Sequence, residues 1–147
     1  MVNVNLVKDH VTVANRLRPV ILRLHRELRR ELRDLGVTAG QASLLAAIAL
    51  KPGIGVGGLA AREGMSPAGM SGHVDRLEAA GLVKRTPSAA DRRRVGLEVT
   101  EEGRRVLKAA KRRRTAWLAA RLRELTPEQI DAIDAALEPL SELLEDA

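Results

Sequence analysis

The sequence predicts a mainly α-helical fold with one two-stranded β-hairpin. Apolar residues recur three and four positions apart over most of the chain, the spacing of amphipathic helices. Helix-start signals precede several of these stretches. Alternation typical of strands is confined to residues 82–99. With 147 residues, 45% hydrophobic and 30% charged, the chain is expected to form a single domain, 1–147, around one hydrophobic core.

Composition excludes several classes of function. The chain has no cysteine, which removes disulfides, thiolate nucleophiles and cysteine-ligated metals. Trp117 is the only aromatic residue, so the stacking platforms of single-stranded nucleic-acid binders cannot be assembled. No nucleophile–base pair, metal-ligand cluster or phosphate-binding loop is recognisable, so we expect no enzyme activity, no cofactor and no metal. No apolar run approaches the ~20 residues that span a bilayer, and no signal peptide is evident, which predicts a cytoplasmic protein without a membrane partner.

The first predicted helix covers residues 9–35. Its apolar stripe includes Leu17, Leu24 and Leu28, and Gly36 ends it. Pro19 lies inside the pattern and is expected to kink the helix, because it removes a backbone donor and crowds the preceding turn. A stripe this long is difficult to bury inside a small monomer. A partner chain is therefore the expected cover.

Three shorter helices follow. A capping box between Thr38 and Gln41 starts the first, which runs to about Leu50. A glycine-rich segment, 55–63, predicts a short second helix. The third covers 67–80, because Ser66 followed by Pro67 combines an N-cap with proline at the first helical position. Its buried stripe consists of Met70, Val74 and Leu77. The opposite side carries small and polar residues, which suits close approach to another surface.

The remaining chain predicts a hairpin and two helices. Two predicted strands, 82–87 and 94–99, form the hairpin, with a polar turn at 88–92. Thr100 caps a long helix that begins at Glu101 and extends to about Leu125. A second capping box, between Thr126 and Gln129, starts a final helix to about residue 145, which Pro139 is expected to kink or shorten.

Two short helices that meet at a tight turn and precede a β-ribbon define a winged helix-turn-helix, here flanked by long N- and C-terminal helices. This order assigns DNA binding to residues 38–100, with a recognition helix at 67–80 and a wing at 82–99. Residues 84–114 hold twelve Lys or Arg against four acids, whereas 126–147 hold seven acids and no base. The asymmetry favours a basic face directed at a polyanion. Solvated helix faces remain the alternative for 104–114.

The wing and recognition helix resemble a known family. Residues 91–103, DRRRVGLEVTEEG, are similar to the wing signature of the multiple-antibiotic-resistance regulator (MarR) family. Further upstream, the matches to that family's recognition helix and its exit are Ser66, Val74, Arg76-Leu77-Glu78 and Gly81-Leu82-Val83. The element order extends the resemblance over essentially the whole chain.

The resemblance implies a homodimer in which helices within 9–35 and 101–145 interlock and two winged units straddle a near-palindromic double-stranded DNA operator. At the wing, Arg93 would enter the minor groove, Asp91 would orient it, and Arg92 and Arg94 would hold phosphates. In the recognition helix the contacts would come from Ser66, Pro67, Ala68, Ser71, Gly72, His73 and Arg76. The sequence departs from the family pattern at Gly69 and Gly72, where polar or basic side chains are usual.

The resemblance also implies an effector cleft between the dimerisation and DNA-binding regions. Its candidate lining is aliphatic, with one histidine and one tryptophan: Ile21, His25, Leu44, Ile48 and Trp117. Two histidines have a simpler interpretation. His25 could be a plain interface residue, and His73 could be bonded locally within its own helix.

Together these observations predict a sequence-specific, double-stranded DNA-binding transcription regulator, a homodimeric repressor that a small-molecule effector releases. The alternative is an architectural DNA-binding protein with little sequence preference and no effector. The arginine-rich wing and the two glycines of the recognition helix favour that alternative.

Overall fold

The computed structural model describes residues 8–88, 91 and 93–145. Six α-helices and one antiparallel hairpin follow each other along the chain, with a 3₁₀ turn after the first helix. In order, these are α1 (His10–Arg30), the 3₁₀ turn (Arg33–Leu35), α2 (Ala39–Leu50), α3 (Val56–Arg62), α4 (Pro67–Ala79), β1 (Val83–Pro87), β2 (Val95–Val99), α5 (Glu101–Leu122) and α6 (Pro127–Glu142). The predicted fold class, mainly α with a two-stranded wing, is confirmed.

The hydrophobic core lies where α2, α3 and α4 meet the hairpin and the start of α5. Helices α2, α3 and α4 and both strands contribute its fully buried side chains: Leu45, Ile48, Leu59, Met70, Val74, Leu77, Val83 and Leu97. Helix α5 contributes Val106 at the edge of the core. A smaller cluster of Leu32, Ala42 and Ala110 joins the 3₁₀ turn to α2 and α5. The described part of the chain has no buried polar or charged residue, so apolar packing alone fills this core.

The wing is attached to the core by backbone contacts. Strands β1 and β2 pair with Val83 opposite Val99 and Pro87 opposite Val95. The Leu97 backbone also bonds the loop before α3, because its carbonyl accepts from Gly53 N–H and its N–H donates to the Ile54 carbonyl, both at 2.8 Å. A Cβ on Gly96 would lie 2.7 Å from the Gly53 carbonyl oxygen, so only glycine permits this approach.

The predicted helix starts are confirmed by their caps. The capping boxes at Thr38 and Thr126 form with both reciprocal hydrogen bonds. The hydroxyls of Ser66 and Thr100 accept the backbone N–H groups of Gly69 and Gly103. Because a cap depends only on residues three apart, sequence alone was enough to predict each one.

Several predicted ends were too late or too early. The helix predicted for 9–35 is α-helical only to Arg30; the 3₁₀ turn then eclipses residues three apart, which lets Leu32 and Leu35 both pack on the core. The helix predicted for 67–80 ends at Ala79, and the strands begin one residue later than predicted. Helix α5 ends at Leu122 rather than Leu125. The backbone N–H groups of Glu124 and Leu125 donate to carbonyls three positions back, as in a 3₁₀ turn. Helix α6 continues past Pro139 to Glu142.

Neither terminal helix is covered. No residue of α1 or α6 is buried. Large apolar side chains on both remain exposed, including Val20, Ile21, Ile133 and Leu137. No helix within the described residues is long and apolar enough to cross a membrane.

Candidate nucleic-acid interface

Helix α4 is anchored on one side and open on the other. Met70, Val74 and Leu77 are each fully buried, as the sequence predicted. Of the predicted contact residues on this helix, Ser66, Pro67, Ala68 and Arg76 are exposed, whereas Ser71, Gly72 and His73 are half-buried. All seven are therefore at least partly accessible along one helix. The buried stripe of Met70, Val74 and Leu77 fixes which side of α4 faces solvent.

The two glycines of α4 have different surroundings. A Cβ on Gly69 would lie 3.1 Å from the Ser66 hydroxyl oxygen, which accepts the Gly69 N–H at the same distance. A side chain there would press on the N-cap. A Cβ on Gly72 would meet no atom within 4 Å. Gly72 therefore leaves open space on the outer surface, where a flat ligand such as a base-pair edge can approach the backbone closely.

His73 and Arg76 form a pair on one flank of α4. Arg76 Nη2 lies 2.9 Å from His73 Nδ1. Arginine can only donate, so His73 Nδ1 accepts and the imidazole proton is on Nε2. The pair thus offers one imidazole N–H and the remaining guanidinium N–H groups as donors. This is the local hydrogen bond within α4 that the simpler interpretation of His73 expected. Its partner, Arg76, is itself a candidate DNA contact.

At the wing tip, Asp91 holds the turn and Arg93 extends from it. Asp91 Oδ1 accepts the Arg93 backbone N–H at 3.0 Å and lies 3.6 Å from Arg93 Nε. The Arg93 side chain is 94% exposed. Arg94 is also exposed, and its backbone N–H donates to the Asp91 carbonyl at 2.9 Å. The predicted phosphate contact Arg92 lies outside the described residues.

Arg85 on β1 joins the wing to α4, and the sequence reasoning gave it no role. Its Nη2 donates to Asp75 Oδ1 and its Nη1 donates to Glu78 Oε1, both at 2.8 Å. The hydrogen bond to Asp75, with the charge of Glu78, raises the pKa of Arg85 above its usual value. Asp75 and Glu78 are three residues apart and so share one side of the helix. That spacing, with a basic residue in the strand that follows, was the available signal.

The five predicted effector residues do not line a common cavity. Leu44 and Ile48 are buried in the core between α2 and the wing. Ile21 is exposed, and His25 lines an open groove of about 870 Å³ with four arginines of α1 and the 3₁₀ turn. Trp117 instead borders a cavity of about 510 Å³ between α1 and α5, with Val20, Leu24, Arg23, Glu27 and Arg121. The periodicity of single helices could not predict which faces of α1 and α5 meet.

Comparison with known proteins gives a consistent result. Residues 35–94 match the model of the MarR family. An HTH-type transcriptional regulator of Mycobacterium tuberculosis, MT0903.1, is 33% identical over 142 residues, which cover 97% of this chain and 99% of that protein. This chain belongs to the MarR family.

Two further similarities extend over most of the fold. The crystal structure of the transcriptional regulator Tm0710 from Thermotoga maritima is 30% identical and superposes with a TM-score of 0.75, covering 92% of this chain and 95% of Tm0710. The transcriptional repressor MdtR of Bacillus subtilis is 29% identical over 114 residues, 78% of this chain and 74% of MdtR. As a MarR-family protein, the chain is a DNA-binding regulator of transcription and not an enzyme.

Proposed function

We propose that this MarR-family regulator is a homodimeric repressor that binds a near-palindromic double-stranded operator through α4 and the wing, and that a small molecule releases it. The exposed outer side of α4 beside an exposed wing arginine carries the DNA part of the proposal. The recognition contacts are Ser66, Pro67, Ala68, Ser71, Gly72, His73 and Arg76. The wing contacts are Asp91, Arg92, Arg93 and Arg94. Similarity to the repressor MdtR supports repression as the outcome.

The uncovered terminal helices support the dimer. Helix α1 contains six arginines and one glutamate, whereas α6 contains five acids and no basic residue. Both expose apolar side chains beside these charges. Packing α6 of one protomer against α1 of the other would cover both stripes and match opposite charges. Two-fold symmetry would form this contact twice, which is how a closed dimer arises.

The operator geometry follows from the dimer. Two recognition helices related by a two-fold axis reach successive major grooves only when they lie about 34 Å apart, one turn of the duplex. Half-sites about 10 base pairs apart and inverted in sequence are therefore expected. The Arg93 side chain of each protomer would enter the minor groove next to its half-site, where a narrow A·T-rich segment concentrates negative potential.

The cavity beside Trp117 is the candidate effector site. Arg121 stacks over the Trp117 ring at 5.3 Å from its centroid, and Arg23 is a second cation in the lining. Aliphatic walls with two arginines suit a small apolar molecule that carries an anionic group. Because the cavity lies between a proposed dimerisation helix and α5, a ligand there would change the spacing of the two winged units.

Selection of bound duplexes from a random pool tests the DNA part. The proposal predicts enrichment of an inverted repeat with the stated spacing. A pool without an enriched motif would favour the alternative, an architectural protein that coats DNA. Small anionic aromatic and aliphatic compounds should then be screened for release of the selected duplex. A Trp117→Ala variant that keeps the same release profile would contradict the effector site.

A further inference from the structure

The flank of α4 that faces the wing carries two carboxylates. The side chains of Asp75 and Glu78 are 62% and 42% exposed, and both are bonded by Arg85. Asp75 follows Ser71 by one helical turn on the same side of α4. His73 and Arg76 occupy the opposite flank. The recognition helix therefore has one flank of hydrogen-bond donors and one flank whose acids would repel phosphates.

We infer that Arg85 is a positioning residue of the DNA interface that acts through Asp75 and Glu78: its guanidinium holds both carboxylates on one flank of α4 and offsets one of their two negative charges, which reduces their repulsion of phosphates. This inference rests on the proposed function, in which α4 and the wing contact one duplex together. Arg85 does not itself touch DNA, since two of its donors are occupied by carboxylates. Its contribution passes through α4.

The shape of the guanidinium suits this role. Its planar fork directs Nη1 and Nη2 at two separate acceptors, whereas a lysine ammonium is a point charge. Lys84, the neighbouring cation, cannot take over. Side chains alternate across a strand, and Lys84 lies 3.6 Å from Glu98 on the paired strand. Within the described residues, Arg85 is the only basic side chain that forms an ion pair with Asp75 or Glu78.

A loss of DNA affinity caused by charge repulsion and one caused by a displaced helix should depend differently on salt, which allows a test. Repulsion between carboxylates and phosphates is screened by salt, with a Debye length of ~10 Å at about 0.1 M. A loss caused by a displaced helix is not screened in the same way. Neutral replacements of all three residues remove the repulsion while keeping similar side-chain volumes.

The experiment measures affinity for the selected duplex and for a mixed-sequence duplex with three variants of the full chain. Arg85→Gln should weaken binding on the order of tenfold at about 0.1 M salt, and the deficit should narrow as salt rises. The triple variant Asp75→Asn, Glu78→Gln, Arg85→Gln should bind within about threefold of the unmodified protein, because no uncompensated acid remains. Arg85→Lys should lie between the two, since it keeps the charge but not the fork.

Two results would overturn the inference. One is Arg85→Gln binding as tightly as the unmodified protein, and the other is the triple variant binding as weakly as Arg85→Gln. Thermal melting of each variant separates a folding defect from a binding defect. Arg93→Ala on the same duplexes reports on the interface itself: if it weakens binding while Arg85→Gln does not, only this inference fails. If neither variant changes affinity, the proposed interface fails as well.

Discussion

The side chain of Arg93 is almost fully exposed at the wing tip. Asp91 bonds the Arg93 backbone and lies near its Nε, and the guanidinium extends into solvent. Arg93→Ala should therefore weaken duplex binding by about 1–3 kcal/mol and leave the melting temperature unchanged. Arg112→Ala, which removes the same charge from the exposed surface of α5, is the matched control. Equal losses for the two variants in a titration would assign Arg93 to general charge rather than to a groove contact.

The His73–Arg76 hydrogen bond predicts that these two residues act as a unit. Arg76→Ala should cost about 1–3 kcal/mol, unevenly across operator variants if the guanidinium reads a base. His73→Ala should also weaken binding, because it removes the acceptor that orients Arg76. The double variant should cost less than the sum of the single variants by at least about 0.5 kcal/mol. Strict additivity in the binding cycle would show that the pair is incidental.

Contacts between residues close in sequence were predictable, whereas contacts between residues far apart in sequence were not. The N-caps of α2, α4, α5 and α6 involve residues three apart, so spacing was sufficient to predict them. The contact between Asp91 and Arg93 was an expectation from the resemblance to the family's wing. Arg85 is ten residues from Asp75 and seven from Glu78. Its partners depend on how the hairpin folds back beside α4. The spacing of Asp75 and Glu78 indicates a shared side of α4, but only the folded hairpin brings Arg85 to that side.

Among the elements, the start of α5 lies against the hairpin with no room for a side chain at Gly103. A Cβ on Gly103 would lie 2.3 Å from the Leu82 carbonyl oxygen and 2.6 Å from Val99 Cγ1. Gly103→Ala should therefore destabilise the protein by about 1–3 kcal/mol, because α5 or the hairpin must move. The free energy of unfolding from urea titration measures this effect.

Gly57→Ala is the matched control for the same substitution. Gly57 is exposed in α3, and a Cβ there would meet no atom within 4 Å. Alanine has the higher helix propensity, so stability should rise by about 0.5–1 kcal/mol. If both variants changed stability by the same amount, close packing at Gly103 would not be the cause.

The ends of elements were harder to predict than their existence. The apolar spacing of α1 continues smoothly from Leu28 to Leu35, so one helix was expected over 9–35. The 3₁₀ turn after Arg30 is set by the cluster of Leu32, Ala42 and Ala110. Two of those residues come from other elements, and their contribution becomes visible only in the folded chain.

For the whole molecule, the exposed apolar stripes of α1 and α6 predict association of two chains. Leu137 is 54% exposed in the centre of the α6 stripe. Leu137→Glu should convert the dimer to a monomer whose winged unit remains folded, because α6 contributes no buried residue to the core. Sedimentation and circular dichroism check the two parts of this expectation. Operator affinity should fall with the loss of the second half-site contact.

Ala135→Glu adds the same charge on the opposite side of α6 and is the control. It should leave a dimer. A Leu137→Glu protein that sediments like the unmodified chain would contradict the proposed interface. A monomer from both variants would point to charge on α6, rather than to its apolar stripe, as the determinant.

The overall architecture was predictable, whereas the cavity was not. Helix periodicity, caps and one alternating stretch are sufficient for a winged helix-turn-helix with long terminal helices. The cavity beside Trp117 depends on which faces of α1 and α5 oppose each other. The effector site expected from the sequence instead combined Leu44 and Ile48, which are buried in the core, with the exposed residues Ile21 and His25.

The most direct test of a sequence-specific regulator is competition between the selected duplex and a scrambled duplex of equal length at one fixed salt concentration. Both duplexes carry the same phosphate charge, so the ratio of affinities isolates sequence recognition. A sequence-specific dimer should bind the selected duplex on the order of a thousandfold more tightly than the scrambled duplex, with two protomers per duplex. A ratio near one would contradict it and leave an architectural DNA-binding protein.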